Sequence, residues 1–159
     1  MREPEAAASA LRSAASSLDL PTLDVVLATR RFDRRQIGLA LVAALNNPRH
    51  SSPSREAGPV VERLLALNPD VRVRDDEGRT ALHGAETAEM VRQLVALGAD
   101  VEARAEYGDT PLTSAYDEDV ILALIDAGAD VTAQPEYGDD VRETAVRYNL
   151  TRVLERLAR

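Results

Sequence analysis

A stretch of twelve residues is written twice in this chain of 159 residues, and the two copies begin thirty residues apart. Residues 98–109 read GADVEARAEYGD and residues 128–139 read GADVTAQPEYGD, with nine of the twelve positions identical. A more divergent copy, NPDVRVRDDEGR, begins a further thirty residues upstream at Asn68. A fixed period between about twenty and fifty residues is typical of a solenoid, in which each unit buries its apolar side only against its neighbours. The repeat therefore predicts a stack of similar units.

Each unit contains one strongly amphipathic helix and one tight turn. Apolar residues recur at equivalent positions with the three- and four-residue spacing of a helix face: Val61, Leu64, Leu65; Val91, Leu94, Val95; Ile121, Leu124, Ile125. We expect the helix of residues 87–97 to end at Gly98, because glycine adopts left-handed backbone without steric cost. A turn follows at residues 106–109. Thr110 is then predicted to cap a short helix that has Pro111 at its first position, and Thr80 has the same role one unit earlier.

These motifs resemble the ankyrin repeat. The family core G-x-T-P-L-H-x-A-A is written here as GRTALHGA at residues 78–85 and as GDTPLTSA at residues 108–115, and its closing G-A-D-V-N-A is written as GADVEA and GADVTA. The match covers roughly residues 59–159. The resemblance implies an all-α solenoid of about five stacked helix-turn-helix units with short hairpin-like turns. It also implies a protein-binding module without catalytic activity.

The whole chain is predicted to be a single ankyrin-repeat domain. Its expected parts are an N-terminal capping helix pair (1–31), a divergent repeat with a loop at 46–59 (32–74), two repeats (75–104 and 105–134) and a C-terminal capping repeat (135–159). The family period is about thirty-three residues, so first helices about one turn shorter are expected here. Arg142 replaces the Leu82 and Leu112 of earlier units, as suits the polar outer face of a terminal cap.

The divergent half of the chain also contains helix signals. Residues 4–16 and 21–29 are predicted to form the capping helix pair, and residues 60–67 the second helix of the next unit. Asp33 and Gln36 have the spacing of a capping box, which predicts a helix running to about Leu45. Residues 46–59, rich in proline and serine, indicate a loop.

Composition and motifs argue against catalysis and against bound cofactors or metals. The chain has no cysteine and no lysine, which excludes thiolate chemistry, Schiff bases and a phosphate-loop lysine. The resemblance implies that His83 forms a structural hydrogen bond between adjacent turns, and His50 is expected in a surface loop. Residues 75–78 contain three acids but lack the ligand spacing of a calcium loop. We therefore expect no enzyme activity, no cofactor and no metal site.

The negative charge is concentrated where the repeats are. Residues 70–140 contain five arginines and eighteen acidic residues, a net charge of −13, whereas the whole chain has −8. Such a surface repels nucleic acid and attracts basic proteins. The arginines 30, 31, 34 and 35 form the densest basic cluster; a solvated helix junction or a contact with phosphate or an acidic partner both remain open for it.

The candidate partner-binding residues follow from the resemblance, since ankyrin partners bind the turn tips and the exposed face of the first helices. These positions are Arg74, Asp76, Glu77, Arg79, Arg104, Glu106, Tyr107, Asp109, Gln134, Glu136, Tyr137 and Asp139, with Glu86, Asp117 and Glu118 extending the acidic strip. Tyr107 and Tyr137 are expected to be interface anchors. Alternatively, duplication copied these tyrosines and they only pack against neighbouring turns.

The functional hypothesis is therefore protein binding through an acidic concave face, by either a general adaptor or an immunity or inhibitor protein that neutralises a basic toxin or enzyme. A neighbouring gene for a basic toxin would favour the second version. A structural component that oligomerises through repeat edges is the alternative from another class, and a concentration-dependent mass in solution would indicate it. We expect a bacterial source, because arginine and alanine have GC-rich codons. We expect a cytoplasmic protein, because no segment reaches the roughly twenty apolar residues of a membrane span. The protein is also expected to be a monomer.

Overall fold

The computed structural model describes residues 3–46 and 57–158. Within these residues the chain forms eight α-helices and no strand. The helices are α1 (Glu3–Ser16), α2 (Leu20–Thr29), α3 (Arg34–Leu45), α4 (Ala57–Leu65), α5 (Ala88–Ala96), α6 (Glu118–Asp126), α7 (Val141–Arg147) and α8 (Thr151–Leu157). Most of the predicted loop at 46–59, including His50, lies outside the described residues, and α4 begins before that loop was expected to end.

The helices stack as an all-α solenoid of five units, as predicted. The inner layer consists of α1, α3, a 3-10 turn at Ala81–Gly84, the turn residues 111–114 and α7. The outer layer consists of α2, α4, α5, α6 and α8. In the inner layer α1 contacts α3, and α3 contacts the 3-10 turn; in the outer layer α2 contacts α4, and α5 contacts α6, which contacts α8.

The two ends of α5 and the start of α3 lie within one residue of the positions that the sequence predicted. The Thr87 side chain accepts a hydrogen bond from the Met90 N–H at the start of α5, and Gly98 lies just beyond the end of that helix with a φ of +92°. Asp33 and Gln36 form the predicted capping box at the start of α3. Short-range signals were therefore sufficient to place these ends.

The inner helices of the two middle units are shorter than predicted. Ala81–Gly84 is a single 3-10 turn, and residues 111–114 form only hydrogen-bonded turns, with the Ser114 N–H donating to the Thr110 carbonyl at 3.0 Å. The prediction of a short helix starting at Pro111 was wrong. Only Ala85 and Glu86 separate the first turn from Thr87, the cap of α5, so a thirty-residue unit has no room for a further helical turn.

A continuous aliphatic core joins the two layers. Leu41, Leu82 and Leu112 are fully buried in the inner layer of three successive units, and Ile121 of α6 is fully buried in the outer layer. Arg142 occupies the position of Leu82 and Leu112, but it lies at the surface of the last unit. There the burial is provided instead by neighbouring apolar and small side chains of α7, as expected of a terminal unit.

The hairpin-like turn tips form a hydrogen-bonded row along one edge of the stack. The Glu77 carbonyl accepts a hydrogen bond from the Glu106 N–H at 2.8 Å, and thirty residues later the Tyr107 carbonyl accepts one from the Glu136 N–H at 2.7 Å. Gly78 and Gly108 have φ angles of +75° and +77°, which let the chain reverse within each tip. The tips are consequently held at a fixed spacing before any partner binds.

Candidate functional site

A groove runs between the row of turn tips and the inner layer. It contains two adjoining clefts that share Asp109, Thr113 and Tyr116. The central cleft also includes residues Glu77, Arg79, His83, Glu106 and Tyr107. The C-terminal cleft, of about 170 Å³, also includes Tyr137, Gly138, Asp139, Thr144, Arg147 and Tyr148.

All four tyrosines of this aromatic-poor chain lie on the groove. Tyr107 and Tyr137 meet edge to face on the tips, with ring centroids 5.5 Å apart and planes at 74°. Tyr116 and Tyr148 form the same arrangement on the inner layer, at 5.7 Å and 74°. Each side chain remains more than half exposed. Two aromatic pairs therefore face solvent from opposite sides of one groove.

The tip tyrosines lie among carboxylates. The Glu106 carboxylate, through its charge and its hydrogen bond with the phenol, raises the pKa of Tyr107, and Glu136 and Glu77 act in the same direction from farther away. Asp76, Glu77, Glu106 and Glu136 are all exposed on the tips. This wall of the groove thus combines apolar ring surface with negative charge.

His83 connects two units beneath the groove. Its Nδ1 accepts the Thr80 N–H at 3.1 Å, so the neutral ring carries its proton on Nε2 and donates it to the Asp109 carbonyl at 3.2 Å. Burial lowers the pKa of His83, which keeps the ring neutral near pH 7. The predicted structural hydrogen bond between adjacent turns is confirmed.

Thr113 takes the place of His83 in the next unit. It exchanges hydrogen bonds with Thr110, accepting that residue's N–H at 2.9 Å, and its short side chain makes no bond to the following hairpin. Thr113 lines the C-terminal cleft. The C-terminal cleft thus lacks the bridging imidazole that lines the central cleft.

The ionic partners of the charged groove residues differ from unit to unit. Arg79 pairs with Asp75 at 3.0 Å and with Glu77 at 3.2 Å. Asp139 pairs with Arg147 at 2.8 Å. Asp109 occupies the equivalent position between them, and within residues 3–46 and 57–158 its carboxylate has no hydrogen bond or ion pair. Partial burial raises the pKa of Asp109.

The structure divides these predicted hairpin residues into three groups: those exposed on the tips, those behind them in the groove, and two, Arg74 and Gln134, whose side chains bond to hairpin residues. Asp76, Glu77, Glu106, Tyr107, Glu136 and Tyr137 are exposed on the tips, and Arg79, Asp109 and Asp139 lie behind them in the groove. The Arg74 guanidinium donates to the carbonyls of Gly78 and Arg104, which fastens one tip to the next. Gln134 donates to Asp140 at 3.4 Å within its own hairpin.

Glu86 and Asp117 are not brought into the groove. They line a separate depression beside the N-terminal ends of α5 and α6, together with Arg152. Asp117 caps α6, and Glu118 accepts the Arg152 N–H at 2.7 Å. The acidic strip expected along the ends of the first helices therefore lies on a different surface from the tyrosines.

The sequence patterns did not point to Tyr116 and Tyr148. Neither is repeated at the thirty-residue spacing, so no comparison between units pointed to them. Tyr116 directly precedes the cap of α6, and Tyr148 directly follows α7. Their position at the ends of inner-layer elements, where the resemblance implies partner binding, was the one signal available in the sequence.

The basic cluster and the acidic turn at residues 75–78 make contacts within the protein itself. The Arg30 guanidinium lies 5.7 Å from the centre of the Phe32 ring, and Arg34 donates to the Asn68 carbonyl at 2.9 Å. The Asp75 carboxylate accepts the N–H groups of Glu77 and Arg79 and closes its own turn. Among the described residues, no three His, Asp or Glu side chains are grouped as metal ligands.

The family described as Ankyrin repeats (3 copies) matches residues 53–135 of the sequence, about half of the chain. The chain belongs to the ankyrin-repeat family. Ankyrin repeats are generally protein–protein interaction modules and are typically non-catalytic. No curated protein matches the sequence. In the part of the chain that the structure describes, no helix has the length and apolar character needed to cross a membrane.

Proposed function

We propose that this protein binds a basic protein partner through the groove between its turn tips and its inner layer, and that it does so as a monomer. The observation that carries the proposal is the convergence of all four tyrosines on that groove. Exposed aromatic residues are scarce in this chain, so their arrangement in one place calls for a functional reason.

Tyrosine is well suited to such an interface. Its ring provides a large apolar contact area with few rotatable bonds, and its hydroxyl can still hydrogen-bond at the wet edge of a contact. Tyrosines are enriched among the residues that dominate binding energy. Because Tyr107 and Tyr137 already contact each other, less side-chain entropy is lost when a partner covers them.

The charge around the groove supports a basic partner. Residues 70–140 have a net charge of −13, and exposed carboxylates of Glu77, Glu106 and Glu136 lie beside the tip tyrosines. Such a field raises the encounter rate with positively charged proteins and disfavours acidic ones. The backbone hydrogen bonds between successive tips hold the backbone that carries these glutamates at a fixed spacing.

The proposal is tested by affinity capture from the source organism with three forms of the protein. Tyr107→Ala/Tyr137→Ala removes the tip pair, and Val25→Ala shortens a side chain that is 66% exposed on α2, outside the groove. We expect the tyrosine variant to retain less than about a tenth of the captured partner, while Val25→Ala captures as much as the wild type. Equal capture by all three forms would exclude the groove tips.

A further inference from the structure

We propose that the C-terminal cleft receives an arginine side chain of the partner, with the Asp109 carboxylate as its ion-pair acceptor. This inference rests on the proposed function and specifies one recognised residue within it. It depends on the geometry of the cleft, on the balance of charge inside it and on Thr113, which stands where the preceding unit has His83.

The cleft has the size and lining of a side-chain site. Its volume of about 170 Å³ is below the roughly 300–1,000 Å³ of a small-molecule pocket. Tyr116 and Tyr148 line it from the inner layer, and Tyr137 lines it from the turn tip. Aromatic surface from both sides of the groove therefore surrounds a space suited to one long side chain.

The charges in the cleft leave one carboxylate unbalanced. Arg147 is bound to Asp139 at 2.8 Å, so these two charges offset each other. Asp109 has no cationic partner among the described residues. His83 contacts the Asp109 carbonyl but adds no charge near pH 7, because burial lowers the pKa of its ring. An incoming cation thus finds a net charge of −1 from two aspartates and one arginine.

The C-terminal cleft lacks the inter-unit histidine that lines the central cleft. His83 bonds to the carbonyl of Asp109 in the next hairpin, whereas the equivalent Thr113 bonds only to Thr110. By the same thirty-residue register, a histidine at 113 would reach toward the carbonyl of Asp139. The Thr113 side chain is shorter than histidine and does not fill the space toward that carbonyl.

Arginine fits this site better than lysine. Its planar guanidinium stacks on aromatic faces, is weakly hydrated and forms two parallel hydrogen bonds with a carboxylate. An ammonium group is more strongly hydrated and has no flat face. The combination of three rings with one partly buried carboxylate favours the guanidinium.

The test uses the full chain, labelled with nitrogen-15, and follows its amide resonances by NMR. The probes are N-acetyl-arginine amide, N-acetyl-lysine amide and N-acetyl-citrulline amide, which has nearly the shape of arginine without its charge. We expect the arginine probe to shift resonances of Asp109, Tyr116, Tyr137 and Tyr148, with a dissociation constant on the order of millimolar. The lysine probe should bind several-fold more weakly, and the citrulline probe should produce no saturable shift there.

Two substitutions separate the site from general acidity. Asp109→Asn should weaken the arginine probe by roughly tenfold. Glu155→Gln removes the same charge from an exposed position on α8 and should leave the affinity unchanged. Equal effects of the two variants, or equal binding of citrulline and arginine, would overturn the proposal.

Thr113→His provides a gain-of-contact test. The imidazole should occupy the cleft and bond to the next hairpin, so binding of the arginine probe is lost while the midpoint of thermal unfolding is unchanged or higher. Retained binding in a folded Thr113→His protein would contradict the assigned position. Failure of the arginine probe together with tyrosine-dependent partner capture would remove only this cleft, whereas loss of tyrosine dependence would remove the proposed function itself.

Discussion

The ring of Tyr137 meets the ring of Tyr107 edge to face across 5.5 Å, although the two residues are thirty positions apart in the chain. The contact arises because identical EYGD turns stack in register, which places equivalent side chains next to each other. The tyrosines therefore do pack against neighbouring turns, as one of the two interpretations of the sequence expected. Even so, 53% of Tyr107 and 72% of Tyr137 remain exposed. Most of both rings is available to a partner.

The exposure of this pair predicts a small effect on folding. Tyr107→Ala/Tyr137→Ala should shift the midpoint of thermal unfolding by less than about 4 °C, since little buried apolar area is lost. Differential scanning calorimetry of the variant and the wild type measures this shift. A drop of more than about 10 °C would mean that the tyrosines are structural, and loss of partner capture would then say little about binding.

The two glycines of α3 and α4 should respond in opposite ways to alanine. A Cβ at Gly38 would collide with the Asp70 carbonyl oxygen, whereas a Cβ at Gly58 meets no atom of the described residues within 4 Å. Gly38→Ala should lower the free energy of unfolding by about 1–3 kcal/mol through overpacking. Gly58→Ala should raise it by up to about 1 kcal/mol through helix propensity. Urea unfolding distinguishes the two, and a stabilising Gly38→Ala would show that α3 does not pack on residue 70 this closely.

The buried His83 predicts a loss of stability on acidification. Burial lowers its pKa in the folded chain below the ordinary 6.5. Below about pH 6.5 the unfolded chain binds more protons than the folded one, so the free energy of unfolding contributed by His83 falls as the pH drops. His83→Gln keeps a capping side chain three residues after Thr80 but has no such titration.

The measurement is the difference in unfolding free energy between wild type and His83→Gln, from about pH 7.5 to about pH 5.5. The wild-type advantage should shrink across this range. Asp109, whose raised pKa has the opposite effect at lower pH, is present in both proteins and does not enter the difference. A constant advantage would mean that folding does not change the pKa of His83, and a growing advantage would mean that folding raises it.

Electrostatic attraction should be visible in the kinetics of partner binding. If the charge of the repeat segment steers a basic partner, the association rate constant should fall several-fold between low salt and physiological salt, with a smaller change in dissociation. Surface plasmon resonance with the captured partner measures both rates. An association rate independent of salt would assign the acidity to solubility instead.

The repeat period and the capping residues were enough to predict the architecture. Thr87, Gly98 and the Asp33–Gln36 box each marked a helix end that the structure contains. These signals act within four residues of one another, so they can be interpreted without knowing the tertiary structure. The length of the inner helices was harder to predict from the sequence. It depends on how many residues remain between the cap of the inner turn and the cap of the outer helix, such as Thr80 and Thr87.

The site was only partly predictable for a related reason. Tyr107 and Tyr137 repeat at the period of the array, so their adjacency follows from stacking. Tyr116 and Tyr148 are thirty-two residues apart, and they meet only because one precedes α6 and the other follows the longer inner helix α7. Within the described part of the chain, Asp109 lacks an ion-pair partner because Arg147, the arginine of its cleft, pairs with Asp139 instead. The spacing of residues in the sequence does not predict this choice of partner.

Site-specific photo-crosslinking in the source organism measures most directly whether a partner occupies the groove. A benzophenone amino acid is placed at Tyr116, inside the groove, and in a matched protein at Val25, an exposed position on α2. We predict that the probe at 116 crosslinks to one protein through an arginine-containing segment and that the probe at 25 does not. Crosslinking of that partner at position 25 and not at position 116 would contradict the account.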